Sequence, residues 1–211
     1  MRSIVGPLVV AAALTIAGTA RSAPSFAPQS SATAVFAGGC FWGIEGVFEH
    51  VKGVTSATAG YAGGSVASPT YEQVSSGVTG HAESVRVTYD PSQVTYEQLL
   101  EVFFTVAHDP TQLNRQGPDF GTQYRSIVFY GDSAQRSAAE RYVAELRSKK
   151  AWSKPVVTEI VPLTAFYEAE AYHQHYMARH PRAPYIMYND APKVVNLQRR
   201  LPALYREPLL E

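Results

Sequence analysis

This 211-residue chain has a single cysteine, Cys40. A solitary thiol excludes an intramolecular disulfide. It also rules out the P-C-x-x-C half of the zinc-deaminase signature, although "HAE" at 81–83 supplies the H-x-E half. Excess charge is lacking as well. Eighteen Lys and Arg offset eighteen Asp and Glu, with no run of one sign, so neither nucleic acid nor an anionic membrane is an expected partner. A small neutral substrate or a protein surface is. No apolar run reaches the roughly 20 residues of a bilayer-spanning helix, and no repeat or low-complexity block follows residue 32.

What is present starts with a distinctive N-terminus. Arg2 precedes an apolar stretch from Ile4 to Ala17, and Ala20, Ala23 and Ala27 are small residues suited to signal-peptidase cleavage. The stretch reads as a cleaved export signal over 1–23, with the cut between 20 and 27, in preference to an uncleaved anchor. A flexible lead-in over 24–32 and one folded domain over 33–211 complete the layout. The 45% hydrophobic content suffices for a core of that size. The expected location is outside the cytoplasm, in a periplasm. Oxidising compartments favour paired cysteines, so an unpaired one is either buried and inert or reactive and purposeful.

Apolar spacing predicts a short strand over 33–39, "TAVFAGG", running into a helix over 40–51, with Phe41, Ile44, Val47, Phe48 and Val51 on one face. A second strand, "VTSATAGYAGG", ends in a Gly-rich loop, and "SPTYEQVSSGVTGH" is loop with one helical turn. "ESVRVTYD" (83–90) alternates, with Val85, Val87 and Tyr89 on one face, and stops at Pro91. Thr95 caps a helix over 95–109 whose apolar face is Leu99, Leu100, Phe103, Phe104 and Ala107. The polar stretch 111–121 reads as a long functional loop. A strand at "YRSIVFYG", a helix at "SAQRSAAERYVAELRSK", a strand at "PVVTEIVP" and a helix over 165–180 follow, before a tail without clear period. The order β-α-β-β-α-β-α-β-α predicts an α/β (α+β) two-layer sandwich, with helices packed on a mixed, mostly antiparallel sheet, as in split βαβ folds.

Gly38 and Gly39 permit a sharp turn that sets Cys40 at a helix N-terminus, where unpaired N–H groups favour the thiolate. Phe41 and Trp42 suit an apolar wall for a methyl or thioether group, with plain core packing as the competing reading. Glu83, at a strand start beside a Gly-containing loop, can supply a proton if its pocket is apolar enough to keep it protonated. Tyr71 and Tyr124 carry hydroxyls able to hold a developing oxyanion. His81, His108, His173, His175 and His180 are each conceivable bases for a Cys-His hydrolase, though none has the usual context. "HQH" (173–175) with His180 fits no zinc template, so no metal is expected.

"GGCFWG" (38–43), "GYAGG" (60–64), "PTYEQV" (69–74), "GHAESVRVTYDP" (80–91), "DFGTQYRSIVFY" (119–130) and "YEAEAYHQHYM" (167–177) together resemble the A-type peptide methionine sulfoxide reductases, which act on the S epimer. The resemblance spans roughly residues 33–190 and makes 33–211 the catalytic domain. It implies a ferredoxin-like fold, Cys40 as nucleophile, Phe41 and Trp42 as the methyl-binding wall, and Glu83 as proton donor. It further implies Tyr71 and Tyr124 as hydroxyls on the sulfoxide oxygen, and Asp119 as a polar pocket residue. Substrates would be oxidised proteins or free methionine sulfoxide, and the product a sulfenic acid on Cys40. Many members carry further cysteines that resolve this acid. Here an external thiol must do so, from a thioredoxin-like protein or a glutaredoxin with glutathione, with no cofactor beyond that reductant and the chain acting as a monomer. A Cys-dependent hydrolase and a thiol peroxidase are the alternatives.

Overall fold

The computed structural model describes residues 31–207. The export signal and nearly all of the lead-in fall outside the described residues. The first elements follow the predicted order: β1 (Ala32–Ala37), α1 (Phe41–Glu49), β2 (Val54–Ala62), the short α2 (Tyr71–Ser75), β3 (Ala82–Tyr89) and α3 (Tyr96–Val102). Thr95 caps α3 as expected, in a reciprocal capping box with Gln98. The helix then widens into a π turn over Phe103–Ala107 and stops at His108, in extended conformation. The His108 ring donates from Nδ1 to the Phe103 carbonyl at 2.8 Å, satisfying one of the carbonyls left free at the helix end.

The polar stretch 111–121 is not a plain loop. It folds into a hairpin of β4 (Arg115–Gln116) and β5 (Asp119–Phe120). A 3₁₀ turn (Thr122–Tyr124) leads to β6 (Ile127–Tyr130), α4 (Ser133–Ser148) capped by Asp132, and β7 (Glu159–Pro162). The expected helix over 165–180 is largely absent. In its place stand β8 (Phe166–Glu168), a run of turns, and α5 (Tyr176–Arg179). The reason is tertiary. The backbone of 166–168 pairs antiparallel with β2 and the Ala169 N–H donates to the Ala59 carbonyl at 2.9 Å, so groups that a helix would pair internally bond to β2 instead. The Gln174 side-chain amide braces the joint at 2.8–3.0 Å from the Ala59 N–H, the Ala59 carbonyl and the Ala169 carbonyl. The tail, unread in sequence, holds a π turn (Ile186–Asp190) and α6 (Ala191–Arg200).

The main sheet has the order β7-β6-β1-β3-β2-β8. Every neighbouring pair is antiparallel except β6–β7. Its centre, β6-β1-β3-β2 with α1 and α3 as crossovers, is the ferredoxin-like split βαβ arrangement. Strand alternation decides what faces what. Phe36, Tyr61, Val85 and Val87 point to the helices and join Phe41, Phe48, Phe103 and Phe104 in the main core. Val35, Ala37, Ile127 and Phe129 face the other way into a smaller cluster. The Phe36 ring stacks on Phe48 and Phe103, with centroids 5.3 and 4.8 Å apart. Each fully buried aromatic of this kind contributes about 1.5–3 kcal/mol of transfer free energy. On this same face, at the start of β3, stands Glu83.

Candidate active site

The turn between β1 and α1 is built by close approach. A Cβ on Gly38 would lie 2.9 Å from the His108 ring. Gly39 has φ +104, and a Cβ there would lie 2.5 Å from Gln116 Cγ. Only glycines allow the chain to reverse in that space. Cys40 is thereby delivered to the N-cap of α1, with 8% of its surface exposed. It opens on a cleft of about 80 Å³ that Gln116, Asp119, Tyr185, Asn189 and Lys193 also line. That is room for a few heavy atoms, enough for the end of one side chain.

Glu83 sits against the same helix end. Its Oε2 accepts the Phe41 backbone N–H at 3.1 Å, one of the donors a helix leaves free at its first turn. Burial raises its carboxyl from the usual 4.5 to about 8; that hydrogen bond opposes the rise, and the charges of Asp119 and Asp190 add to it. Glu83 is therefore a carboxylic acid at neutral pH, and with Oε2 engaged, Oε1 is the oxygen left to carry the proton. Tyr71, at the start of α2, and Tyr124, at the end of the 3₁₀ turn, are half-buried. Both phenols are pushed up, first by burial and next by the Glu83 charge, with Cys40 a smaller contributor. They remain donors, and the charges of Glu83 and Cys40 reach both of them.

One expectation fails. Cys40 is not a resting thiolate. Burial holds its thiol well above the usual range, and the charges of Glu83 and Asp190 raise it further. The Trp42 N–H and the Lys193 ammonium offset only part of this. The helix end does favour the anion, as the sequence suggests, but its effect is a fraction of a charge at the surface of an enclosed site. Desolvation wins.

The two rings expected to form an aromatic wall are placed differently. Phe41 is fully buried and tilts against Tyr61 and His173, while Trp42 is half-buried. The Trp42 indole stacks on Tyr176 at 3.7 Å between centroids and donates Nε1–H to His173 Nδ1 at 3.1 Å. That bond fixes the His173 tautomer with its proton on Nε2, a buried atom with no partner among the described residues. Asp119 lines the cleft from β5, where its carboxylate accepts the Tyr185 hydroxyl. Burial holds the Asp119 carboxyl above its usual range, and that bond and Lys193 offset only part of the rise.

Several residues of the site were missed in sequence. Tyr185, Asn189, Asp190 and Lys193 come from the aperiodic tail, whose π turn folds back over the cleft. Asp190 is fully buried and takes the Lys193 ammonium at 3.0 Å, which sets this one cation beside the cysteine. The available signal was weak: "YND" followed by Pro192 marks a helix start, without indicating what it covers. No histidine, among the described residues, hydrogen-bonds Cys40. His173 serves Trp42, His108 serves Phe103 and Ser126, His81 serves Gly64 and Val66, and His175 contacts Glu49. The Cys-His hydrolase reading loses its base.

Residues 32–203 match the family model described as peptide methionine sulfoxide reductase. The peptide methionine sulfoxide reductase MsrA 2 of Mesorhizobium japonicum is 56% identical over 181 residues, covering 86% of this chain and 93% of that one. Among solved structures, reduced Mxr1 from Saccharomyces cerevisiae aligns with a TM-score of 0.69 at 35% identity, over 75% of this chain and 91% of that one. Mxr1 in complex with Trx2 aligns with a TM-score of 0.50 at 25% identity, over 72% of this chain and 88% of that one.

Proposed function

The chain belongs to the peptide methionine sulfoxide reductase family, and from that premise we propose that Cys40 attacks the S epimer of methionine sulfoxide while Glu83 supplies the proton. The overall reaction is reduction of methionine sulfoxide to methionine. The observation that carries the residue roles is the buried Glu83 carboxyl, kept protonated to about pH 8 and hydrogen-bonded to the very helix end that bears Cys40.

The sulfoxide sulfur is electrophilic, but its oxygen departs only when neutralised. The S-methyl group rests against Phe41 and Trp42, and the oxygen turns toward Glu83, Tyr71 and Tyr124. Glu83 protonates that oxygen as the Cys40 sulfur bonds to the sulfoxide sulfur, and the thiol proton restores Glu83. The hydroxyl passes to the Cys40 sulfur, and methionine leaves. One thiol and one sulfoxide have become one sulfenic acid and one thioether, so atoms and electrons balance. A buried thiol suits this scheme, because its proton is released only as the new bond forms.

With one cysteine in the chain, the sulfenic acid is reduced from outside. A first external thiol forms a mixed disulfide with Cys40 and releases water, and a second restores the Cys40 thiol. The Mxr1–Trx2 complex supports a thioredoxin-like donor. A glutaredoxin with glutathione would serve by the same chemistry, and in either case the thiol is the sole co-reactant. The chain acts as a monomer on oxidised proteins or the free amino acid. The N-terminal export signal supports work in a periplasm.

The test is a stereospecific assay on S- and R-sulfoxide with dithiothreitol, repeated with thioredoxin-like and glutaredoxin donors. Consumption of the S epimer alone, lost in Cys40→Ser, is expected. Equal use of the R epimer, or appreciable turnover by Cys40→Ser, refutes the reading.

A further inference from the structure

Outside the catalytic cleft, on the flank of α1 that meets α5, three ligand-type side chains converge. Glu45 and Glu49 lie one helical turn apart on α1, and His175 immediately precedes α5. Their ligating atoms all lie within 4.8 Å of one another. Glu45 Oε2 accepts the His175 backbone N–H at 2.9 Å, and His175 Nδ1 contacts the Glu49 carboxylate. His175 is held in the left-handed conformation, φ 54, which turns its backbone N–H onto Glu45.

A second observation marks this cluster as incomplete. Glu45 is fully buried, and its Oε1 has no hydrogen-bond partner among the described residues. A buried carboxylate oxygen left without a donor or cation costs free energy. Two acids share one imidazole here, and the Glu45 Oε1 is the atom left unanswered.

We propose that Glu45, Glu49 and His175 form a binding site for a single divalent cation of borderline softness, with Zn²⁺ as its best-suited probe. Carboxylate oxygen and imidazole nitrogen are both regular Zn²⁺ donors, and three of them leave one tetrahedral position for water. Metal–ligand bonds near 2.1 Å place tetrahedral ligand atoms about 3.4 Å apart. The widest pair of ligating atoms therefore closes by at most about 1.4 Å. Glu49 and His175 reach solvent, with side chains 15% and 49% exposed, and can make that adjustment.

The site would act on the catalytic cleft through the backbone it ties together. Glu45 follows Cys40, Phe41 and Trp42 on the same helix, and His175 adjoins Tyr176, whose ring stacks on Trp42. A bound cation pins α1 to the turn that backs the methyl-binding wall.

The experiment titrates Zn²⁺ into the Cys40→Ser variant of the full chain, in which the thiol cannot ligate, by calorimetry and by tryptophan emission. Trp152→Phe is added so that the emission reports Trp42 alone. One equivalent is expected to bind, with Trp42 emission changing in step and the thermal midpoint rising. His175→Asn and Glu49→Gln, both on side chains that reach solvent, should each weaken the affinity at least tenfold. The site is overturned if no single-site binding occurs below about 100 µM, or if either variant binds Zn²⁺ as tightly as its parent. Neither result depends on turnover, so the reductase reading stands or falls separately.

Discussion

Replacing Glu83 by Gln separates proton donation from every other role this side chain plays. In the wild type the folded carboxyl holds its proton to about pH 8, while an unfolded glutamate releases it near 4.5. At pH 7, one unit below the folded value, about ten molecules are protonated for each one ionised. Between the two values the folded state binds one more proton than the unfolded state, so stability falls by about 1.4 kcal/mol per pH unit as pH rises. By pH 7 that loss is on the order of 3 kcal/mol, and by pH 9 it has levelled off at on the order of 5 kcal/mol. Gln keeps the shape and can accept the Phe41 N–H, yet it has no such charge to suppress. Glu83→Gln is therefore expected to stabilise the fold, most of all above pH 8, while slowing the sulfoxide step by roughly 100-fold or more.

Two further readouts sharpen the test. The wild-type single-turnover rate should fall about tenfold per unit above pH 8, as Glu83 ionises, and that limb should vanish in the variant. Because the Glu83 charge is one of the causes that raise the Cys40 thiol, alkylation by iodoacetamide at alkaline pH should become faster in Glu83→Gln. A variant more stable and more alkylatable, yet slow on sulfoxide, fits only a proton donor. If Glu83→Gln matched wild type in the single-turnover sulfoxide step at pH 7, or melted at a lower temperature, the assignment would be wrong.

One turnover without reductant should leave a dimedone-reactive sulfenic acid on Cys40 in near-stoichiometric yield, read by mass spectrometry; labelling elsewhere, or none, would remove the proposed intermediate. His173→Phe keeps the ring packing but removes the acceptor of the Trp42 indole. It is expected to cost about 1 kcal/mol of substrate binding, a roughly fivefold rise in KM with kcat little changed, and an unaltered KM would show that Trp42 holds its place unaided. Gly39→Ala must fit a Cβ 2.5 Å from Gln116 Cγ at φ +104. A loss of about 2 kcal/mol or more in denaturant unfolding is expected, and wild-type stability would argue against the tight turn.

Local periodicity and motif carried the sequence reading far. Thr95 and the Leu99–Phe104 face predicted α3, the alternation of Val85, Val87 and Tyr89 predicted β3, and "GGC" predicted the turn into α1. These are short-range properties, set by side-chain spacing and backbone sterics that each segment carries with it. The 165–180 segment broke the rule because its backbone hydrogen bonds go to β2, a partner about a hundred residues away in sequence.

The chemistry divides along the same line. Sequence alone determined that there is one thiol, that it stands at a helix start beside two aromatic rings, and that no second cysteine can resolve it. Only the tertiary structure decided the protonation states. Cys40 is a thiol and Glu83 an acid because distant segments exclude water from both, and the cost of charge in that enclosure outweighs the helix end. Tyr185, Asp190 and Lys193 belong to the cleft for a related reason: a tail without periodic pattern is placed by what it packs against, and that contact is written nowhere in its own residues.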